Sequence, residues 1–367
     1  MTSAANNDTD GYSRYKMAVD VYTVGCLCLF GLSGNILSIA VLGRDRSIRR
    51  TTGFLLQMLA LSDTAYLITC FFYQTLNAVE ELTDWMPPEV ARRWAYVEPF
   101  TWPFASIAQT STVWLVLVVT ADRYVAICKP LHSPQYSTMS RVREMVVLVW
   151  MMAVLYNLPR FFERVVVEVV DPRTNETVFE VRKTEFRNNP VYVLVYKTTL
   201  FFLVRFLVPF SALAFFNTRL IQAIRESAEI HQRSVRRGGG NTPGGSGSLR
   251  CRSERYTLTL VVVVIVFVIC ETPDLLLRLW LSLSAYVPGI PFPLDALRFV
   301  NNFSNMCLTV NSCVNFLIYC FIGKRFRAIL LQVVCRRPAP GLLYRNGFVV
   351  VSRRSVAVNE DYSFHHS

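Results

Sequence analysis

The chain has 367 residues, 52% of them hydrophobic and 17% charged, and a mean hydropathy of +0.33. A water-soluble domain carries roughly 25% charged residues, so the composition excludes that class and indicates a membrane protein. The net charge of +12 sits mainly in short loops and the C-terminal tail, a positive-inside distribution and not a nucleic-acid surface.

Several apolar runs exceed about 18 residues, enough for a helix to cross the hydrocarbon layer. The ten-residue alternation of a β-barrel is absent. Residues 1–16 are polar and contain a glycosylation sequon at Asn7. The first apolar run is too long for a signal segment, so it is expected to remain as helix one, Met17 to Leu42, with its N-terminus outside. Gly31, Ser33 and Gly34 permit close helix approach, and Asn35 is a buried amide in need of a partner. The loop from Gly43 to Thr52 carries Arg44, Arg46, Arg49 and Arg50 against Asp45, which places it inside. Helix two, Gly53 to Asn77, contains Asp63. An acid at that depth must face the bundle interior.

The next loop is acidic, with Glu80, Glu81, Asp84, Glu89 and Glu98 against Arg92 and Arg93, and is assigned outside. Helix three, Pro99 to Cys128, ends in Asp122-Arg123-Tyr124. An acid beside an arginine can hold it in a local ion pair, which lowers the cost of a guanidinium near hydrocarbon. If the pair breaks, the arginine can engage something else, as a switch requires. The plainer reading is an arginine that snorkels to lipid head groups. Helix four spans Met145 to Phe162, with Trp150 and Pro159.

Residues 163–190 hold two valine-rich runs around a turn cluster, the pattern of a β-hairpin. Asn175 at its tip is a second sequon. Helix five, Val191 to Ile224, contains Arg205 and Pro209. The basic loop from Arg225 to Arg255 includes a glycine-rich linker, Gly238 to Ser248. Helix six, Tyr256 to Ser284, carries Glu271, Pro273, Asp274 and Arg278. A short loop, Val287 to Pro293, leads to helix seven, Leu294 to Phe321, which contains Asn311, Asn315 and Tyr319. The basic amphipathic run from Gly323 to Cys335 should lie in the inner interface, and Cys335 is a candidate palmitoylation site. The fold class is thus an all-α membrane protein, a seven-transmembrane helix bundle with a short amphipathic helix after the seventh span. Its parts are an extracellular tail (1–16), the bundle (17–322), the interfacial helix (323–335) and a cytoplasmic tail (336–367), the last expected to be disordered.

Glu271, Asp274 and Arg278 are spaced three and four residues apart, on one face of helix six. Two readings stay open for them. Either Arg278 pairs with Asp274 and Arg205 with Glu271 as an internal salt-bridge set, or these groups meet a ligand. The ten cysteines show no metal-ligand spacing, and most read as small packed hydrophobes. No nucleophile–base arrangement and no phosphate-binding glycine loop is present, so neither an enzyme nor a cofactor is indicated.

Asn35, Leu59 with Asp63, Asp122-Arg123-Tyr124, Trp150, Pro209, Pro273 and Asn315 with Tyr319 occur in one register across the seven segments. In this the chain resembles rhodopsin-like (class A) G-protein-coupled receptors. Asn157 to Glu163, Phe216 to Ile221 and Asn311 to Phe316 are similar to invertebrate FMRFamide-type neuropeptide receptors. The resemblance implies a plasma-membrane protein activated by an extracellular peptide. Helices five and six would rearrange, and Arg123 would leave Asp122 to meet a heterotrimeric G protein. It also implies a mid-bundle polar network of Asn35, Asp63, Thr112, Asn311 and Asn315, with or without bound sodium.

The chain departs from that pattern at three points. Phe316 replaces the proline after Asn315, Glu271 replaces a tryptophan, and Glu98 stands where a cysteine is usual. Residues 163–190 contain no cysteine, so the hairpin must be held by packing and polar contacts. Ala105 occupies the place of an amine-binding acid, and helix seven has no lysine for a retinal Schiff base, which leaves a peptide ligand. An uncompensated Glu271 or Asp274 would favour an arginine. Trp102, Phe104, Phe299 and Phe303 could receive an aromatic ring. The ligand expected is a short amidated peptide with an arginine beside an aromatic residue. A competing class is a transporter or channel with a path through Asp63 and Glu271, but the inverted repeats and broken helices typical of such proteins are not evident.

Overall fold

The computed structural model describes residues 11–45, 50–83, 85–131, 133–170, 177–236, 246–286, 294–335, 342–345 and 348–351. Seven long helices form a bundle: α1 (Gly11–Arg44), α2 (Arg50–Leu82), α3 (Pro88–Cys128), α4 (Met139–Phe162), α5 (Pro190–Arg236), α6 (Ser246–Tyr286) and α7 (Leu294–Ile322). Among the described residues, α1 to α5 and α7 are each long and apolar enough to cross a membrane. α8 (Lys324–Cys335) follows α7. One end of the bundle carries a β-hairpin, the other carries α8.

Several helices outrun the apolar stretches that mark them in sequence. α3 begins at Pro88 instead of Pro99, because proline is favoured in the first turn and the charged residues after it are good helix formers. Trp94 in this extension is buried and donates through Nε1 to Asn77 Oδ1 at 2.8 Å. α6 opens at Ser246, inside the glycine-rich linker, the rest of which lies outside the described residues apart from helical Ser246–Ser248. Asn7 and Asn175 also lie outside them.

The core gathers Val41, Leu55, Leu59, Leu115, Phe267 and Ile318 from α1, α2, α3, α6 and α7. α1 reaches α7 through two glycines. A Cβ on Gly31 would stand 2.5 Å from Cys313 Sγ, and one on Gly34 would stand 2.9 Å from Phe316 Cγ. Phe316 therefore fills the space that Gly34 leaves, and α7 runs unbroken through this position.

In α5 the turns over Phe202–Leu207 are π-helical and precede Pro209. A proline has no N–H to donate to the carbonyl of residue i−4, and its ring crowds that carbonyl. A widened turn relieves that conflict, and Arg205, at i−4, lies in this turn with its side chain buried.

The hairpin is β1 (Arg164–Val170) antiparallel to β2 (Thr177–Lys183), with Val166 opposite Val181. α8 buries Phe326 and Ile329 and pairs Arg325 with Asp45 at 2.8 Å. Beyond it, where the sequence suggests disorder, β3 (Leu342–Arg345) pairs with β4 (Phe348–Val351). Both runs are rich in residues that favour strands.

Candidate functional site

At the α8 end, Asp122 and Arg123 are buried at the close of α3. Arg123 Nη2 donates to Asp122 Oδ2 at 2.9 Å. Thr52 Oγ1 of α2 donates to the same oxygen at 3.0 Å, and Ser137 Oγ, just before α4, donates to Asp122 Oδ1. Tyr124 packs toward α5, its ring 5.2 Å from that of Phe216. Tyr319 is buried and lies 5.6 Å from Phe326 of α8. The resemblance implies one G-protein switch of Asp122, Arg123, Tyr124, Asn315 and Tyr319; the structure distributes them over a carboxylate-centred latch, an α7–α8 contact and a mid-bundle network.

That network centres on Asp63, which is fully buried. Thr112 Oγ1 donates to Asp63 Oδ1 at 3.1 Å and Asn315 Nδ2 to Oδ2 at 2.8 Å. Asn35 does not reach Asp63; its amide donates to the Ser312 carbonyl at 3.0 Å and ties α1 to α7. Asn311 is buried but makes no hydrogen bond to this set among the described residues. No group of three acid, cysteine or histidine ligands suited to a metal occurs among them either.

Toward the hairpin end, Arg205 joins three helices. Its Nη2 lies 3.5 Å from Glu271 Oε2 of α6, and its Nη1 donates to Thr110 Oγ1 of α3 at 3.3 Å. Arg278 Nε donates to both oxygens of Asp274, at 3.0 and 2.9 Å, one turn away on α6. Glu271 and Asp274 are thus each compensated by an arginine. Of the two readings left open by the sequence, the internal salt-bridge set is the one formed. The cleft lined by Arg205, Glu271, Asp274 and Phe201 holds about 10 Å³, room for no more than one water.

Trp102 stands between two guanidiniums, with Arg278 5.8 Å from its ring centroid and Arg160 5.6 Å. The other aromatic candidates do not join it. Phe104 is 51% exposed and meets Phe161 edge-on, and Phe303 is 48% exposed on the outside of α7. Phe299 is held by Tyr12 and Tyr15 of α1. Helical periodicity explains the miss: Phe104 follows Trp102 by two residues, which turns it to the opposite side of the helix.

The hairpin is fixed by polar contacts. Arg164 Nη1 pairs with Glu98 Oε1 of α3 at 2.6 Å, with both side chains 19% exposed. Phe179 of β2 lies under Arg92 at 4.8 Å and against Tyr96 at 5.6 Å. Glu163, at the hairpin base, is buried and accepts from Tyr192 Oη at 2.7 Å. Arg187 and Lys197 approach its carboxylate at 3.5 and 3.8 Å.

Three buried ionisable residues were not singled out by sequence. Arg160 donates through Nε to Asn157 Oδ1 at 3.0 Å and faces the Tyr196 ring at 5.5 Å. Glu163 anchors the hairpin base. Asp20 of α1 accepts from Asn302 of α7 at 3.0 Å. Each lies in or at the end of an apolar run, the same signal that marked Asp63 and Glu271.

A seven-helix membrane bundle with a latched arginine at one end and a packed ion-pair cluster toward the other has the parts of a transmembrane receptor. Residues 34–319 match the family described as 7 transmembrane receptor (rhodopsin family), and the chain belongs to that family. It is 27% identical over 326 residues to the FMRFamide receptor of Drosophila melanogaster, with 89% of this chain and 55% of that protein covered. It is 25% identical to the FMRFamide peptide receptor frpr-18 of Caenorhabditis elegans, with 89% and 72% covered. It is 27% identical to the growth hormone secretagogue receptor type 1 of Rattus norvegicus, with 93% and 85% covered. The chain thus spans little more than half the length of the Drosophila relative. It is a multi-pass membrane protein of a receptor family, and these matches give the transporter or channel reading no support.

Proposed function

We propose that the chain is a receptor for an extracellular peptide of the amidated Arg-Phe type and signals through a heterotrimeric G protein. In this reading the hairpin end faces outside and the Asp122–Arg123 end faces the cytoplasm, at the plasma membrane. Two relatives named as FMRFamide receptors support the ligand class.

The observation that carries the mechanism is the Arg205–Glu271 pair, which crosses from α5 to α6. The Arg278–Asp274 ion pair lies within α6, and Arg278 meets other helices only through its cation–π contacts with Trp102 of α3 and Phe201 of α5. A ligand guanidinium that takes Glu271 would release Arg205 and so free α5 from α6. Glu271 Oε1 has no hydrogen-bond partner among the described residues, which leaves an acceptor for the incoming cation. Burial makes such an exchange selective, because an unpaired charge there costs far more than in water. Arg160, beside Trp102 and Tyr196, offers a donor to a ligand carbonyl such as the terminal amide. A free carboxylate would instead approach Glu271 and Asp274. Asp63, Thr112 and Asn315 then carry the change toward Arg123, which leaves Asp122 for the G protein.

The test is a calcium or cAMP reporter in cells expressing the full chain. An Arg-Phe-amide peptide is compared with its free-acid form and with its citrulline form on wild type, Glu271→Gln and Asp274→Asn. The reading expects the amide to be most potent and the citrulline penalty to shrink on Glu271→Gln. An equal penalty on all three receptors shows that neither acid reads the arginine.

A further inference from the structure

The strand pair beyond α8 is too small to have a core of its own. β3 and β4 run antiparallel, with Leu342 opposite Val351, Tyr344 opposite Val349 and Arg345 opposite Phe348. The two residues between the closing pair are Asn346-Gly347, a sequence strongly favoured for a two-residue hairpin connection. Local sequence and strand register therefore agree on a hairpin. Residues directly opposite share a face, and successive residues alternate between faces. One face takes Leu342, Tyr344, Val349 and Val351; the other takes Leu343, Arg345, Phe348 and Val350.

A strand pair in water alternates apolar and polar residues. Here the first face is apolar or aromatic throughout, and the second carries a single charge, Arg345. Two strands alone cannot bury either face, so the hairpin needs a surface to lie on. Its place in the chain selects the bilayer. Residues 336–341 are all that separate β3 from α8, whose last turns leave Leu331 57% and Val334 59% exposed. Residues 336–359 contain Arg336, Arg337, Arg345, Arg353 and Arg354 and no acid. Positive charge around an apolar, aromatic face matches an anionic leaflet, which offers hydrocarbon below and phosphate above.

We propose that the β3–β4 hairpin is a membrane-adsorbed element. It lies on the cytoplasmic leaflet with the face of Leu342, Tyr344, Val349 and Val351 in the boundary between head groups and acyl chains, and the flanking arginines sit at lipid phosphates. The choice of leaflet rests on the topology proposed above; the attraction to a bilayer depends on neither the peptide nor the G protein. Tyrosine suits that depth, because its ring is apolar and its hydroxyl is not. Arg345 can keep its charge at the water while its stem covers apolar surface. The contact holds the chain at the membrane as far as Val351.

The test uses the full chain in nanodiscs of phosphatidylcholine and phosphatidylserine, without agonist or G protein. Cys251 and the exposed Cys26 and Cys335 are changed to serine, which also removes the candidate palmitate. Spin labels are placed singly on Leu342→Cys, Leu343→Cys, Val349→Cys and Val350→Cys. Power saturation then compares collisions with oxygen, which concentrates in hydrocarbon, and with a water-soluble nickel chelate. The oxygen-to-nickel ratio should be high at 342 and 349 and low at 343 and 350. Gly347→Val, which disfavours the positive φ of such a turn, should erase the alternation. Arg353→Gln with Arg354→Gln should weaken adsorption about 25-fold, read as more nickel collisions at 349. Equal ratios at all four positions overturn the proposal, and so does the reverse alternation. Free access of the chelate to 342 and 349 also overturns it, and dipolar broadening there identifies a second copy as the occupant instead.

Discussion

The Glu98–Arg164 pair holds the hairpin to α3 at the position where the family resemblance calls for a disulfide. A covalent tether cannot be undone by charge or salt; this one can. The contact is short, 2.6 Å, and each side chain is 19% exposed, so water screens it only in part. A charge-assisted hydrogen bond of this kind contributes about 1.5–3 kcal/mol. Neutralising one partner should therefore raise the hairpin's opening equilibrium about 10- to 150-fold. The remaining contacts, Phe179 against Arg92 and Tyr96 and the Thr184 amide on the Glu163 carbonyl at 3.0 Å, set the floor. Spin labels on Val90→Cys of α3 and Val165→Cys of β1, both on exposed positions, would report the distance by double electron–electron resonance. The exposed Cys26 and Cys335 would first be changed to serine. Glu98→Gln and Arg164→Gln should each add a longer-distance population, and high salt should do the same to the parent, because ions screen a partly exposed pair. The exchange Glu98→Arg with Arg164→Glu should restore much of the short distance. If both single variants keep the parent distribution, the hairpin is docked by Phe179 and the backbone alone, and the ion pair is incidental.

Other outcomes follow from named contacts. Asp122→Asn should raise basal G-protein signalling roughly tenfold or more, by removing a charge-assisted contact, and Arg123→Ala should abolish signalling with agonist affinity largely kept; a silent Asp122→Asn at normal surface level refutes the latch. Thr52→Val removes one of Asp122's hydroxyl donors, so its basal rise should be smaller than that of Asp122→Asn in the same assay. Gly34→Ala should lower thermal stability by about 1–3 kcal/mol of overpacking against Phe316, and Phe316→Ala should recover part of the loss; an unchanged melting profile means α1 shifts freely. Asn7→Gln and Asn175→Gln should each remove a glycosidase-sensitive mass step. Asn302-Phe303-Ser304 is a third sequon, but Asn302→Gln should remove none, since Asn302 is buried in α7 against Asp20.

Much of this architecture is legible from residue order because a membrane enforces it. A segment long enough to cross, with acids on one side and arginines on the other, has few alternatives. The hairpin is legible too, because the strand-forming runs on either side of 171–176 have no other partner. What the sequence does not show is which way a side chain points when the backbone period changes. The π-helical turns before Pro209 alter the register of α5, and a uniform helical period does not determine where Arg205 points. Partner choice is also hidden. Glu271, Asp274, Arg205 and Arg278 are visible as a set, yet only distances reveal that one pair spans two helices and the other closes within a single turn.

That difference bears on how such a receptor is switched. An ion pair within one helix can break without moving any other helix. An ion pair across two helices transmits whatever displaces it, because its desolvated charges must find new partners or move apart. Arg205 is bound on one side to Glu271 of α6 and on the other to Thr110 of α3. Thr110 also accepts from Asn157 of α4 at 3.1 Å, and Asn157 orients Arg160. A single exchange at Glu271 therefore reaches α3, α4 and α5 through direct contacts. Replacing Glu271 and Arg205 together by leucine and methionine tests this physically. The apolar pair should keep the fold, since a buried ion pair contributes little net stability over packed hydrocarbon. It should lose the response to the peptide while Arg123 remains competent in an Asp122→Asn background. If the double variant still responds to peptide with its usual potency, the α5–α6 ion pair is a closure of the bundle and not its trigger.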